Sequence, residues 1–391
     1  MREDKLNAPY FCPMKVYLDN SATTPVDPEV LEEMMPYFSE IFGNPSSIHA
    51  HGRAARSVVE RSRKKIAELL NTSPAEIFFT SGGTEADNMV LRSAVETLGL
   101  QVVITSVLEH HAVLHTLEAM ERQGVICVRY VRLLDGGALD VEHLEVLLQE
   151  NPGAMVSLMH ANNELGNLND VLAIAGLSKA YGALYHSDTV QAMGKYVHSL
   201  ADSQLDFVVG SGHKFHGPKG VGFVYINHET KIHPFVYGGA QERNMRGGTE
   251  NLAGIVGIAK ALEISYRDMA TNRTHIEGLK RLMITELNEK VKGVSYNGLS
   301  ADMDRSLYSV LNIGVPESEE NDMLLFNLDI KGISVSGGSA CASGSSIGSH
   351  VLEAIHSDPM RGAIRFSLSK YTTREEVIYA VDSLAEIVNN R

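Results

Sequence analysis

One lysine, Lys214, lies between two histidines in a run of small residues that follows an apolar stretch. The stretch LDFVV (205–209) is typical of a buried strand, because an uninterrupted β-branched and aromatic run suits a sheet covered on both faces. Glycines after it allow a sharp turn, so the sequence places Lys214 at a strand end, where α/β proteins usually bind ligands. A buried lysine has a lowered pKa and can form a Schiff base with a carbonyl. The ordinary alternative is a solvated turn lysine.

Two further groups suit a cofactor that carries a phosphate and a heteroaromatic ring. The turn SGGTEADN (81–88) opens a helical pattern, so its backbone N–H groups and the Thr84 hydroxyl form a candidate phosphate site. Asp188 ends the strand-like ALYHSD (183–188), with Gln191 one helical turn further. A carboxylate at that point could keep a ring nitrogen protonated. Each feature has a structural alternative as the N-cap of a helix.

Three histidines occur together in LEHHAVLH, at positions 110, 111 and 115. Zinc is disfavoured, because HAVLH lacks the glutamate of an HExxH site and no acidic third ligand is evident. A single histidine stacked on a cofactor ring fits better. The sequence leaves open whether His110 or His111 is the one that stacks.

The segment SGGSACASGSS (336–346) has ten Gly, Ala or Ser residues out of eleven, with Cys341 at its centre. This composition predicts a flexible loop, and an exposed thiol there is chemically reactive. The alternative is a surface loop whose cysteine has no role. The chain has three cysteines and no CxxC pair, which argues against a disulfide framework and predicts a reducing compartment, the cytoplasm.

The elements that must position these groups alternate between strand-like and helical segments in the first two thirds of the chain. This alternation predicts a mostly parallel, doubly wound sheet with the amine, the ring-nitrogen partner, the phosphate turn and the histidine at its strand ends. Such a set is typical of a pyridoxal-phosphate enzyme. A long helical region follows from about residue 255. Short strands and helices after it indicate a smaller α+β domain, so the predicted fold class is α/β.

Bulk properties exclude several classes of function. At 391 residues and 44% apolar composition the chain can bury a large core, and two domains are expected. A net charge of −14 argues against nucleic acid or an anionic membrane as the main partner. No run of 18 apolar residues is found, so no membrane span is expected. Residues 1–13 contain acidic residues and no apolar core, which predicts an N-terminal extension and not a signal peptide.

Nine segments distributed over nearly the whole chain resemble, in order, the signature blocks of the cysteine desulfurases, which are fold-type-I pyridoxal-phosphate enzymes of the class-V aminotransferase family. The segments are YLDNSATTP (17–25), GNPSSIH (43–49), TSGGTEADN (80–88), MHANNELG (159–166), HSDTVQAMGK (186–195), SGHKFHGPKG (211–220), MRGGTEN (245–251), GGSACASGSS (337–346) and IRFSLSKYTT (364–373). The resemblance implies a homodimer that converts L-cysteine to L-alanine and leaves the sulfur on the enzyme as a persulfide.

The resemblance also implies a role for each matching residue. Lys214 would hold pyridoxal 5'-phosphate as a Schiff base and later move the α-proton. Asp188 would pair with the ring nitrogen, and His110 would stack on the ring and assist proton transfers. The remaining cofactor-binding residues would be Gly83, Thr84, Ser211 and His213 at the phosphate, Asn163 and Gln191 at the ring oxygen, and Thr249 reaching the phosphate from the other subunit.

Arg365, flanked by apolar residues in AIRFSL, would bind the substrate carboxylate together with Asn163. Cys341 would attack the substrate sulfur, and its small neighbours would let it reach inward for the attack and outward to a sulfur-acceptor or iron–sulfur scaffold protein. The Ser/Gly-rich setting resembles the subgroup that serves iron–sulfur cluster assembly and thiolation. The sequence departs from the family at His111, a position that is more often lysine-like, and in the residues around Cys341.

The implied domains are a large cofactor-binding domain (24–262) and a small C-terminal domain (263–391). The N-terminal segment 14–23 belongs to the small domain. Two alternative functions stay open. A selenocysteine lyase or a cysteine or cystine lyase on the same scaffold would not depend on Cys341. A catalytically idle sulfur-relay or scaffold protein would have no need of Lys214.

Overall fold

The computed structural model describes residues 14–337 and 348–390. Its strands are β1 (Val16–Tyr17), β2 (Ile77–Thr80), β3 (Val102–Thr105), β4 (Cys127–Tyr130), β5 (Met155–Ser157), β6 (Leu184–Asp188), β7 (Phe207–Ser211), β8 (Gly222–Ile226), β9 (Ser295–Tyr296), β10 (Val310–Val315), β11 (Ile333–Ser334) and β12 (Gly362–Ser367). Its α-helices are α1 (Pro28–Met34), α2 (Pro36–Ser39), α3 (Ala50–Leu69), α4 (Gly83–Leu98), α5 (His111–Arg122), α6 (Val141–Glu150), α7 (Val171–Ala180), α8 (Leu252–Arg267), α9 (Met269–Lys290), α10 (Leu324–Ile330), α11 (His350–Ala354) and α12 (Arg374–Asn389).

Seven strands form one large sheet in the order β2-β8-β7-β6-β5-β3-β4. All neighbouring pairs are parallel except those of β8, which runs antiparallel to β2 and β7. The central strands β7 and β8 are buried at every residue, as expected for a sheet with helices on both faces. Separate apolar clusters cover the two faces of the sheet. The predicted α/β class and mostly parallel sheet are confirmed.

A second apolar core lies apart from the large sheet. It contains side chains of β10, β12, α9 and α12, and it also contains Val16 and Leu18 of the N-terminal segment. The antiparallel set β12-β10-β9 and the two-stranded parallel pair β1-β11 belong to this part. The boundary between residues 262 and 263 stays a prediction, since α8 and α9 follow one another with only Asp268 between them.

The N-terminal segment contacts both parts of the molecule. Val16 pairs with Ile333 of β11, and Asp19 forms an isolated bridge to Ser367 at the end of β12. Five residues further on, the backbone N–H of Thr24 donates to the carbonyl of His213, 2.9 Å away, in the turn after β7. Among the described residues, no helix is long and apolar enough to cross a membrane.

Candidate active site

Four strands of the large sheet lead to the predicted site residues. β7 leads to Lys214, β6 ends at Asp188, β2 leads to Thr84, and β3 leads to His110. β3, β6 and β7 run parallel through the sheet, and β2 has the same direction because it is antiparallel to β8. Their carboxyl ends therefore meet at one edge, which is the usual ligand-binding edge of such a sheet.

A cavity of about 240 Å³ lies at this edge. Nine of the sequence-predicted site residues line it, together with four that the sequence did not single out. The nine are Gly83, Thr84, His110, Asn163, Gln191, Ser211, His213, Lys214 and Arg365, and the four are Ser21, Ala22, Asp87 and Val190.

Lys214 is held by the backbone of the N-terminal segment. Its Nζ donates to the carbonyl oxygens of Ser21 and Ala22, at 2.6 and 2.9 Å. The imidazole of His213 lies next to the same segment, with Nδ1 3.2 Å from Oγ1 of Thr23. The amine is therefore fixed at the cavity wall by two neutral acceptors, a setting in which it can exchange these hydrogen bonds for a ligand.

Asp188 is 7% exposed, and its Oδ1 accepts a hydrogen bond of 2.8 Å from the backbone N–H of Val190. Burial raises the pKa of its carboxyl to about 7, and the neighbouring carboxyl of Asp87 adds to the rise. A cation placed beside this buried carboxyl would lower its pKa again, so that the group ionises and pairs with the cation. A protonated ring nitrogen would be such a cation.

His110 is the N-cap of α5, and its Nδ1 accepts from the backbone N–H of Ala112 at 3.1 Å. Since Nδ1 is an acceptor, a neutral ring carries its proton on Nε2. Burial and the nearby charge of Lys214 lower the pKa of His110 to about 4, so the ring is neutral at neutral pH. His111 does not line the cavity, and its ring stacks on His115 with centroids 4.5 Å apart. The structure thus favours His110 over His111 as the residue that stacks on a ring in the cavity.

The predicted phosphate turn forms the start of α4, a 16-residue helix. Its N-terminal N–H groups and the Thr84 hydroxyl are at the cavity, with Ser211 of β7 beside them. A Cβ on Gly83 would lie only 2.9 Å from a methyl carbon of Val190, so this position needs glycine to leave the cavity open. The arrangement fits a phosphate group.

Arg365 on β12 is 1% exposed and reaches the cavity from the smaller core. Its Nη1 donates to the carbonyl of Asn163 at 2.9 Å, and its Nη2 pairs with Oδ1 of Asp19 at 2.7 Å. Its Nε has no hydrogen-bond partner among the described residues, although it is buried. The guanidinium therefore has capacity left for an anionic ligand.

Two predicted residues in the described part of the chain are not among those that line the cavity. They are Asp188, which is buried at the end of β6, and Thr249, which is exposed. Cys341 lies outside the described residues. Sequence reasoning in turn missed Asp19 and Asp87. Asp19 lies within the family segment YLDNSATTP, which was the one signal available for it.

Comparison with known proteins decides the family. The model of the family "Aminotransferase class-V" matches residues 16–379. The chain is 40% identical to "Cysteine desulfurase IscS" of Dictyoglomus turgidum over 96% of its own length and 94% of that protein. It is 39% identical to "Putative cysteine desulfurase IscS 1" of Bacillus subtilis, covering 96% and 98% of the two chains. The chain belongs to the cysteine desulfurase family.

Solved structures agree with this family assignment. The structure of a "NifS-like protein" has a TM-score of 0.89 and 38% sequence identity to this chain. The match covers 97% of this chain and all of the other. A structure titled "SspA in complex with cysteine" covers 92% of the chain and all of its own, with a TM-score of 0.78 and 30% identity. The fold-type-I architecture predicted from the sequence is confirmed for this family member.

Proposed function

We propose that this chain is a pyridoxal-phosphate-dependent cysteine desulfurase that converts L-cysteine to L-alanine and takes the sulfur onto Cys341. In the net reaction the substrate C–S bond breaks, a C–H bond forms in alanine, and the thiol of Cys341 becomes a persulfide. No external oxidant is needed, because the electron pair of the C–S bond stays with the substrate carbon and forms the new C–H bond with a proton, while the sulfur bonds to the thiolate sulfur of Cys341. The observation that carries the proposal is the single cavity shared by Lys214, His110, the α4 N-terminus and Arg365.

The cavity residues, together with the buried Asp188, would each hold one part of pyridoxal phosphate. Lys214 would bind the aldehyde carbon, Asp188 the ring nitrogen, His110 the ring face, and Gln191 and Asn163 the ring oxygen. Gly83, Thr84, Ser211 and His213 would bind the phosphate. When bound, the cofactor supplies an electron sink for negative charge at the substrate α-carbon.

Proton movements would use two groups on this chain. Lys214 Nζ would take and return the α-proton. His110 carries its proton on Nε2, because Nδ1 accepts from the backbone N–H of Ala112, and its neutral ring would assist by donating a hydrogen bond from Nε2 to the reacting groups.

Arg365 would bind the substrate carboxylate and so orient its sulfur toward Cys341. A guanidinium held by Asp19 and by the Asn163 carbonyl is preorganised for a planar, two-oxygen anion. Persulfide sulfur on Cys341 would then pass to an acceptor or iron–sulfur scaffold protein in the cytoplasm.

A homodimer is part of the proposal, because Thr249 would complete the partner's phosphate site. Large apolar side chains in the first part of the chain are exposed, and an interface there would remove them from water. Five of them are more than half exposed, namely Leu31, Met35, Phe38, Phe42 and Ile48. Mixing inactive Lys214→Ala with Thr249→Ala subunits tests this: a hybrid dimer regains one intact site, and activity that stays at the level of the separate variants contradicts a shared site.

The decisive experiment measures alanine and sulfide released from L-cysteine in the presence of a reductant. The parent and Cys127→Ala should release both products in equal amounts, because Cys127 lies in β4, away from the cavity. Cys341→Ala should release neither. If Cys341→Ala keeps its activity, a selenocysteine, cysteine or cystine lyase replaces the desulfurase. If the cofactor-loaded parent forms no alanine, the proposal is wrong.

A further inference from the structure

A line of three buried side chains runs behind the cofactor cavity, from the sheet to helix α4. Ser157 of β5 is the register partner of His186 of β6, and its Oγ lies 2.9 Å from His186 Nδ1. His186 Nε2 lies 3.3 Å from Oδ1 of Asp87 on α4. All three residues are at most 1% exposed.

Asp87 is a cavity-lining carboxyl, and its one ion-pair contact among the described residues is to the ring of His186. Asp87 Oδ1 and His186 Nε2 are both buried and have no hydrogen bond among the described residues, but they lie 3.3 Å apart, close enough for a proton on either atom to be shared with the other. A fully buried carboxylate without a counter-ion is costly, and an apolar residue of similar size would pack there without that cost. Packing alone therefore gives no reason for an aspartate at this position.

The charges around the cavity allow few anions. Asp87, Glu109 and Asp188 are all buried, and Asp87 and Asp188 both help to raise the pKa of Glu109. Burial raises the pKa of Asp87 to about 8 and lowers that of His186 to about 4, so both groups are neutral at pH 7. A protonated His186 would stabilise the ionised form of Asp188, as does the charge of Lys214. Because His186 is neutral at pH 7, Lys214 is the cation that stabilises it there.

His186 and Asp188 are two residues apart on β6, so their side chains share one face of the strand. An imidazole whose Nε2 had no partner could turn to the Asp188 carboxylate and compete with the ligand for it. A proton on Asp87 that is donated to His186 Nε2 removes this competition, and His186 then donates from Nδ1 to Ser157.

We propose that Asp87 and His186 form a neutral pair that shares one proton, and that Asp87 thereby acts as a positioning residue that keeps Asp188 available as the sole anion for the cofactor's ring nitrogen. The inference rests on the proposed cofactor but not on the proposed reaction. It assigns Asp87 a task that a charged carboxylate at the same position could not perform.

The test compares Asp87→Asn with Asp87→Leu in the holoenzyme. Asparagine keeps the shape and a permanent N–H donor for His186, whereas leucine keeps the bulk and removes the donor. The measurements are the absorbance spectrum of bound pyridoxal phosphate as a function of pH and the rate at which the cofactor dissociates after dilution. Both are independent of cysteine turnover.

Asp87→Asn should keep the parent spectrum, its pH midpoint and the dissociation rate. Asp87→Leu should release the cofactor at least about tenfold faster, because a buried hydrogen-bonding group is left unsatisfied, and should shift the midpoint by about half a pH unit or more. Asp87→Ala replaces the leucine variant if that variant does not fold.

Two results would overturn the inference. If Asp87→Asn changes the spectrum as much as Asp87→Leu, the carboxyl acts as an anion and the pair is not neutral. If all variants match the parent, Asp87 has no positioning role. A parent protein that binds no pyridoxal phosphate contradicts the proposed function instead, which separates the two failures.

Discussion

The ion pair between Arg63 and Glu242 offers a quantitative test of how the chain holds a strained turn. Arg63 Nη1 and Nη2 bind the two carboxylate oxygens of Glu242 at 2.7 and 2.8 Å, and both side chains are at most 3% exposed. Arg63 also donates to the carbonyl of Ile77 at 2.7 Å, and Glu242 accepts from the backbone N–H of Phe79 at the same distance. The pair thus fastens the turn to β2.

The turn has an unfavourable backbone conformation. Glu242, Arg243 and Asn244 have φ values of 44°, 56° and 67°, in the left-handed region. Each such residue costs about 1–2 kcal/mol relative to the right-handed region. The buried ion pair is what offsets this cost, and the turn leads directly to the segment that contains Thr249.

Arg63→Met should lower the free energy of unfolding by about 3–5 kcal/mol, because it leaves the Glu242 carboxylate buried without its counter-ion. The double variant Arg63→Met/Glu242→Gln should be more stable than Arg63→Met alone, since it removes the uncompensated charge and retains an acceptor for Phe79. Glu60→Gln is the matched control: Glu60 also contacts Arg63, at 3.2 Å, but its side chain is 50% exposed. Its loss should cost about 0–1 kcal/mol.

Urea unfolding followed by far-UV circular dichroism is the appropriate assay, because the chain has no tryptophan for fluorescence. The reasoning fails if Arg63→Met loses no more stability than Glu60→Gln. It also fails if the double variant is less stable than Arg63→Met, since the cost would then come from lost packing and not from an unpaired charge.

Three further predictions concern the cavity and its surroundings. Asp19→Asn should raise KM for L-cysteine about tenfold with little change in kcat, because Arg365 loses the carboxylate that orients it; steady-state kinetics showing an unchanged KM would contradict this. Burial lowers the pKa of His198 to about 3, so the unfolded chain takes up this proton more readily than the folded protein and stability falls as pH drops below about 6.5. Urea unfolding at pH 7 and pH 5 should therefore show a smaller loss for His198→Asn than for the parent. Gly83→Ala should weaken pyridoxal phosphate binding at least about tenfold in an absorbance titration, since its Cβ would overlap a neighbouring methyl group, whereas Gly278→Ala, with open space around it, should bind like the parent.

The groups at strand ends were predictable from the sequence, because both the strand and the turn after it are local patterns. Lys214, Asp188 and His110 each follow an apolar segment of the kind that forms a buried parallel strand. The periodicity also predicts the α/β class, since alternation of strands and helices permits few other arrangements. Choosing His110 over His111 required coordinates, because adjacent residues share the same local pattern.

The residues that the sequence did not reveal act through contacts distant in the chain. Asp19 meets Arg365 across 346 positions, and Asp87 meets His186 across the gap between a helix and a strand that are not consecutive. An aspartate in the first turns of a helix is common for reasons of capping and charge, so its type gave no sign of a second task. Long-range pairs of this kind carry no local signature.

The N-terminal segment has a consequence for the order in which the enzyme can be made. Ser21 and Ala22 supply the acceptors for the Lys214 amine, while Asp19 bridges to Ser367 at the end of β12. During synthesis Asp19 leaves the ribosome long before Ser367, its partner at the end of β12, has been added to the chain. The nascent large sheet can form early, but the lysine's surroundings close only after almost the whole chain has been translated. The cofactor site can therefore be complete only after β12 has been synthesised. A chain interrupted before that strand would contain Lys214 but not the complete site around it.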